Sequence, residues 1–253
     1  RSIGDRMLKA NQIEENWESL IQLIKDNFEG ERKEKLLEMY SHFKERMMFA
    51  PASSKEHFHN AFPGGYVEHV LNITNAVKKV YQTWVDCGGH INFTEEEMMF
   101  ATIHHDLGKV GGVDDDYYIP NESDWHRKNQ GKIYGHNPNL SYMNVTDRSM
   151  WLLQHFGVKM TDTEYLGLKL ADGLYEDGNK SYYMSYNPDF ELESNLPHII
   201  HQADMIASKT ERDKWKYNDD SDSSPVVAKP TNNIKEQKNV DNLKSKFDEL
   251  FPA

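Results

Sequence analysis

Apolar residues recur every three or four positions along the first 49 residues, which is the spacing of one face of an α-helix. A glycine at position 30 interrupts the pattern. The spacing therefore predicts two helices, over residues 4–29 and 31–49. Their apolar faces are predicted to lie in a core and contain Trp17, Leu20, Ile21, Ile24 and Phe28, then Leu36, Leu37, Tyr40, Phe43 and Met47.

Helical periodicity returns beyond residue 62 and predicts an all-α fold. Gly64 and Gly65 form a turn signal before a helix whose apolar face continues to Val80. Asp147 is a candidate N-cap for a later helix, and Thr161-Asp-Thr-Glu164 has the spacing of a capping box for the next one. An apolar segment over residues 198–207 predicts another helix that contains acidic and histidine side chains.

Two segments lack helical periodicity. Residues 110–145, rich in Gly, Asp, Tyr, Asn and Pro, are predicted to be a long irregular insertion. Polar residues over 216–239 predict a flexible linker, and 240–253 regain an amphipathic helical pattern. One helical domain over 1–215, followed by this tail, is the predicted organisation.

The charge and composition restrict the class of partner. The 253 residues carry a formal net charge of −12; the tail from Lys216 holds six lysines and seven acids, so −11 lies before it. This balance disfavours capture of double-stranded nucleic acid, which needs many cations. No apolar run approaches the roughly 20 residues that cross a bilayer, so no membrane contact is expected. The single cysteine, Cys87, excludes an intramolecular disulfide and fits a reducing cytoplasm.

The densest chemistry lies at positions 104–109, which have the sequence HHDLGK. An apolar helical segment delivers His105 and Asp106 side by side before Gly108 ends it. Neutral imidazole and carboxylate are ligands for divalent metal ions. Adjacent helical positions point about 100° apart, so other helices must supply the remaining ligands. His69 and Asp204, each in a separate predicted helix, are the candidates.

The order His, His-Asp, Asp and the HHDLGK segment resemble the HD superfamily of metal-dependent phosphohydrolases, over roughly residues 50–215. The resemblance implies an HD-type helical fold in which His69, His105, Asp106 and Asp204 hold one divalent ion, such as Mn, Fe, Zn, Co, Ni or Mg. It favours His105 over His104 as the ligand and implies hydrolysis of a phosphoester in a nucleotide or deoxynucleotide. Asp106 would also steer the attacking water.

The same resemblance suggests contacts to the substrate. Lys109, one turn after Asp106, is expected to contact phosphate, and pairing with an acid is the alternative. Arg148 is a second candidate for phosphate, with an ion pair to an acid as the alternative. Pocket-lining and structural roles both remain open for three further histidines, His57, His59 and His136.

The relatives also define the alternatives. In a phage-type branch two more histidines hold a second metal, and the matching positions here are Val145 and Ala171, which cannot bind an ion. The absence of ligands at these two positions disfavours a two-iron oxygenase and favours a single-ion site. Asp172 or His136 is the candidate to replace a missing ligand in part. A 3′→5′ exonuclease and a non-catalytic binding protein are the other candidates. A homo-oligomer, a sliding-clamp contact through residues 247–251 and, for a phage protein, the host cytoplasm are further expectations.

Overall fold

The computed structural model describes residues 7–217. Within them, ten α-helices dominate and a single two-stranded sheet is present, which confirms the all-α class. The elements are α1 Ala10–Asn27, α2 Gly30–His42, α3 Lys44–Phe49, α4 Gly65–Asp86, α5 Glu95–His104, β1 Tyr118–Pro120, α6 Asp124–Gln130, β2 Tyr134–His136, α7 Val145–His155, α8 Asp162–Lys169, α9 Lys180–Tyr183 and α10 Leu196–Tyr217. Short 3₁₀ turns connect several of them, including Leu107–Val110.

The first two predicted helices are confirmed in position but not in extent. The first begins at Ala10, later than the predicted start, and the second is divided into α2 and α3 at Phe43, whose ψ of 2° is not helical. Gly30 has a φ of +56°, a conformation that favours glycine and accounts for the break after α1. The predicted apolar faces enter one core, which includes Leu20, Ile24, Phe28, Leu36, Tyr40, Phe43 and Met47.

Two long helices carry the centre of the molecule. α4 and α10 contain 22 residues each and pack against one another. α4 begins after Gly64, with φ of +85°, and a Cβ on Gly65 would lie 2.1 Å from the carbonyl oxygen of Asn60. Only glycine allows this close approach, so the Gly-Gly signal fixes where α4 starts. α8 packs on α5 through Gly167, where a Cβ would meet Ala101 at 2.9 Å.

The prediction of a wholly irregular insertion over residues 110–145 is wrong in its centre. β1 and β2 pair antiparallel there, with Tyr118 opposite His136, and α6 connects them. Gly111, with φ of +111°, turns the chain into this insertion. Three-residue strands are too short to show a two-residue alternation, which explains why periodicity missed them.

Capping was predicted correctly at one helix and incorrectly at another. Thr161 and Glu164 form the expected capping box at α8, each side chain bonding to the backbone of the other residue. At α7 the N-cap is Asn144, whose side chain accepts a hydrogen bond from the Asp147 backbone at 2.7 Å. Asp147 therefore lies inside the first turn, where a carboxylate complements the positive end of the helix dipole.

The C-terminal predictions lie almost entirely outside the described residues. Positions 216 and 217 continue α10, and the rest of the predicted linker, the 240–253 helix and the 247–251 peptide are beyond the described range. None of the described helices has both the length and the apolar character needed to cross a membrane.

Candidate metal centre

Three helices bring four predicted ligands together. His69 lies in α4, Asp204 in α10, and His105 and Asp106 follow one another at the end of α5. The Nε2 atom of His69 is 3.3 Å from Asp204 Oδ1 and 3.7 Å from Asp106 Oδ2. The Nε2 atom of His105 is 3.4 Å from Asp106 Oδ2 and 3.8 Å from Asp204 Oδ1. Each histidine Nε2 thus lies within 4 Å of an oxygen of both carboxylates.

These separations suit a shared metal ion. Ligands about 2.1 Å from one ion are about 3.0 Å apart along an octahedral edge and about 3.4 Å apart along a tetrahedral edge. The observed separations of 3.3–3.8 Å lie at or slightly above those edges. His69, His105 and Asp204 satisfy the distance criterion for a metal-binding group, and so do His59, His69 and Asp106.

Both imidazoles are oriented by their other nitrogen. Nδ1 of His69 lies 3.1 Å from each carboxylate oxygen of Glu211, and Nδ1 of His105 lies 2.8 Å from the carbonyl oxygen of Thr102. An Nδ1–H that donates in this way leaves Nε2 as the lone-pair nitrogen. Within residues 7–217, both Nε2 atoms are buried and make no hydrogen bond. A metal ion is the group that would satisfy two buried imidazole nitrogens facing two carboxylates.

The electrostatics also favour a bound cation. Burial lowers the pKa of His69, but Glu211 and Asp204 outweigh it and raise that pKa to about 10. Burial raises the pKa of Asp106 and Asp204, yet the neighbouring cationic groups, Lys109 and the histidines, hold both values well below their usual range. The carboxylates are therefore ionised at neutral pH. In the metal-free protein Nε2 of His69 is protonated, and a bound metal ion would replace that proton.

Lys109 joins the centre through Asp106. Its Nζ lies 2.5 Å from Asp106 Oδ2, the acid pairing that the sequence left as one of two roles. Burial lowers the pKa of Lys109, but Asp106 outweighs burial and raises it above the ordinary lysine value. The ammonium is therefore charged at neutral pH and stands at the edge of the four-residue cluster.

Gly108 sets the position of Lys109 and Asp106. A Cβ at Gly108 would lie 2.1 Å from the carbonyl oxygen of Val145, and the Gly108 backbone N–H donates to Ser149 Oγ at 2.7 Å. The 3₁₀ turn therefore sits directly on α7, at a distance that only glycine permits. The glycine of the HHDLGK segment is a packing requirement of this contact.

His59 is the one additional predicted histidine that the structure brings to the centre. Its ring lies 4.8 Å from the ring of His69, and its Nε2 is buried without a hydrogen bond in the described part of the chain. Burial, followed by Lys109 and His69, lowers its pKa to about 3. His59 is therefore a neutral imidazole with a free acceptor or donor atom beside the predicted ligands.

His57 and His136 lie elsewhere. His57 packs on Phe58, with ring centroids 4.8 Å apart, and faces a shallow cavity beside Trp215. His136 is exposed on β2, where its ring lies 4.9 Å from that of Tyr117. Neither belongs to the groups of potential metal ligands found among the described residues.

Arg148 is positioned by the backbone of the insertion. Its Nη2 donates to the carbonyl oxygen of Ser141 at 2.6 Å, and the residue is buried. The structure shows no ion pair for Arg148 with any described acid. Burial raises the pKa of the Tyr117 phenol and outweighs the charge of Arg148, which lowers that pKa. Arg148 therefore supports the insertion, and its predicted contact with phosphate stays a prediction.

The positions matched to a second metal carry no ligand side chain, as the sequence already shows. Val145 begins α7 and Ala171 is buried. Burial is the main reason that the pKa of Asp172 is raised. The negative charges of Asp106 and Asp204 raise it further, so both acids lie within electrostatic range of Asp172. Thr146 Oγ1 donates to Asp172 Oδ2 at 3.3 Å. Asp172 thus faces the centre without belonging to either group of potential ligands.

Glu211 contacts the candidate ligand His69 and is absent from the residues predicted from the sequence. It lies seven positions after Asp204 in α10, which is two helical turns along the same face. Asn72, three positions after His69, donates to Glu211 Oε1 at 2.8 Å and helps to hold it. The signal was an acid spaced two turns from a predicted ligand, on the helix that packs against α4.

The fold and the site together define a helical protein with two overlapping groups of histidine and aspartate side chains, which share His69 and could hold a metal ion. No family model, curated protein or solved structure matches the chain.

Proposed function

We propose that this chain is an HD-type phosphohydrolase that uses one divalent metal ion to cleave a phosphoester of a nucleotide or deoxynucleotide. The observation that carries the proposal is the pair of buried Nε2 atoms, on His69 and His105, that face Asp106 and Asp204. The HHDLGK segment and the order of the ligands support the same assignment. The net charge of −11 before the tail favours a small substrate over a nucleic-acid strand.

Four side chains would hold the ion: His69, His105, Asp106 and Asp204. A divalent ion in such a site supplies Lewis-acid polarisation of a phosphoryl oxygen and activation of water. The ligand set of nitrogen and oxygen atoms is compatible with Mn, Fe, Zn, Co or Ni and, with further oxygen ligands, Mg.

The chain's own residues supply charge and position. The Lys109 ammonium, at 2.5 Å from Asp106, is placed to neutralise charge on a phosphate that approaches the same carboxylate. Asp106 orients the attacking water through its carboxylate. The neutral His59 imidazole offers Nε2 as a hydrogen-bond partner that holds this water in line.

Metal content and hydrolysis test the proposal on matched variants of one helix. The purified protein is expected to contain about one divalent ion per chain and to release phosphate from at least one nucleotide. Asp204→Asn should lose both, whereas Asp213→Asn, an exposed acid two and a half turns further along α10, should keep both.

The other outcomes identify the alternatives. Two irons per chain would refute the assignment of one ion and would support the two-iron oxygenase instead. Release of nucleotides from the 3′ end of single strands, without action on free nucleotides, would identify the exonuclease. Absence of both metal and turnover in the folded protein would leave a binding protein on this scaffold.

A further inference from the structure

A cavity of about 700 Å³ lies beside the candidate metal centre, between the α2–α3 region and the insertion. Lys109 is the residue common to both, because it lines the cavity and contacts Asp106 at 2.5 Å. Sites for small ligands in proteins range from about 300 to 1,000 Å³. The volume is therefore that of a small-molecule site, and Lys109 connects it to Asp106.

One wall of the cavity is aromatic. Tyr117, Tyr118 and Tyr134 of the β1–β2 hairpin line it, with the rings of Tyr118 and Tyr134 6.2 Å apart. Burial raises the pKa of Tyr118 to about 12, and Lys109, the next contribution, opposes it. Tyr118 is thus close enough to Lys109 for the ammonium to act on its phenol, and both residues line the cavity.

The opposite wall comes from the end of α2 and from α3. Phe49 is 58% exposed and lines the cavity, so it offers an apolar ring to a ligand there. Lys44 adds a second cation to this wall. Arg46 is fixed in place because its Nε pairs with Asp116 at 2.8 Å and its Nη1 donates to the carbonyl oxygen of Gly112 at 2.6 Å. These contacts join α3 to the insertion.

We propose that this cavity binds the nucleoside part of a nucleoside monophosphate, with the base against Tyr134 and the phosphate at Lys109. The inference rests on the proposed function, because it assumes that the phosphate next to Asp106 is the reacting group. An aromatic wall with a cation at one end matches a flat base joined through a sugar to an anion. Inorganic phosphate or a sugar phosphate would leave the tyrosines and Phe49 without a partner.

Tyr134 is the best position for a test. Among the described residues its side chain makes no hydrogen bond to Lys109 or Asp106, so the replacement removes no direct contact with either residue. Tyr134→Leu keeps most of the bulk and removes the aromatic face. Tyr186→Leu is the matched control, because Tyr186 is 97% exposed and does not line the cavity.

The experiment separates base recognition from hydrolysis by using three probes on the metal-containing protein. Calorimetry measures the Kd of adenosine, which has no phosphate to release, and steady-state kinetics compare AMP with ribose 5-phosphate. Tyr134→Leu should raise the Kd of adenosine and the KM of AMP by roughly 5- to 140-fold, the range for losing one base–aromatic stack. The KM of ribose 5-phosphate should stay within twofold, and Tyr186→Leu should match the wild type.

The possible failures are distinguishable. Equal changes for AMP and ribose 5-phosphate, or no change in the Kd of adenosine, would overturn the nucleoside site even if Asp106-dependent hydrolysis continues. Adenosine binding that depends on Tyr134, in a protein without turnover, would support the site and refute the phosphohydrolase. Tyr118→Leu provides a second test if Tyr134→Leu does not fold, as judged by circular dichroism.

Discussion

Glu211 offers the sharpest test of how the centre is built, because it touches a predicted ligand without being one. Its two carboxylate oxygens each lie 3.1 Å from Nδ1 of His69, and Asn72 donates to Oε1 at 2.8 Å. Glu211 is 1% exposed, so this contact is shielded from water. Glu211→Gln keeps the volume and removes the charge.

The expected effect is a weaker metal site in a folded protein. Three carboxylates and one ammonium, those of Asp106, Asp204, Glu211 and Lys109, give the centre a formal charge of −2, which the substitution reduces to −1. The amide also makes His69 a poorer electron donor. Changing such a partner of a ligating histidine typically costs 10- to 100-fold in metal affinity. This is about 1.4–2.7 kcal/mol of binding free energy.

Competition against a chromophoric chelator measures the change, with Zn²⁺ or Mn²⁺ as the ion and Asp213→Asn as the control on the same helix. Thermal denaturation of each variant shows whether the fold persists. A metal Kd within twofold of the wild type would refute the role given to Glu211. If Glu211→Gln does not fold, Asn72→Ala replaces it in the experiment. Asn72→Ala removes a hydrogen bond to the Glu211 carboxylate but keeps the carboxylate, so it should weaken metal binding less.

Three further predictions concern the same region. Gly108→Ala forces a Cβ to 2.1 Å from the Val145 carbonyl and should lower the free energy of unfolding by about 1–3 kcal/mol in chemical denaturation; an unchanged midpoint would contradict the packing argument. His59→Ala should lower kcat by up to about 100-fold with metal content unchanged, and loss of the ion would instead make His59 a ligand. His69 has a pKa raised from 6.5 to about 10, so its proton stabilises the metal-free fold fully below about pH 6.5 and no longer above about pH 10. EDTA-treated protein should therefore lose stability across that interval, by at most about 1.4 kcal/mol per pH unit, and a flat profile would contradict the shift.

The helices could be predicted because their signals are local, whereas the grouping of the four candidate ligands follows from ligand chemistry and motif order. Apolar spacing locates α1, α2 and α4, and the capping box locates α8, since each pattern depends on residues within a few turns. His69, His105, Asp106 and Asp204 were chosen from ligand chemistry and motif order, and the structure brings their donor atoms within 4 Å of a neighbouring donor.

The supporting residues could not be predicted because their roles depend on contacts between distant parts of the chain. Glu211 is 142 positions from His69, and its spacing two turns after Asp204 places it on the same helix face without identifying His69 as its partner. His57 and His59 look equivalent in the sequence, yet only His59 packs against His69. The N-cap of α7 was misplaced because Asn144 and Asp147 are both suitable capping residues and the start of the helix decides between them.

The candidate metal centre and the cavity are built from different parts of the fold. Substitutions could therefore change which substrate is recognised without changing the metal centre. The four predicted ligands lie on α4, α5 and α10, which pack in the core, whereas the aromatic wall lies on a hairpin inside residues 110–145. Among residues 7–217, Lys109 is the residue that both lines the cavity and contacts Asp106, and Gly108 holds it against α7. Substitutions on the hairpin can therefore alter recognition of a base while the donor atoms stay in place. The Tyr134 and Glu211 variants should affect nucleoside binding and metal binding independently, with additive effects on kcat/KM.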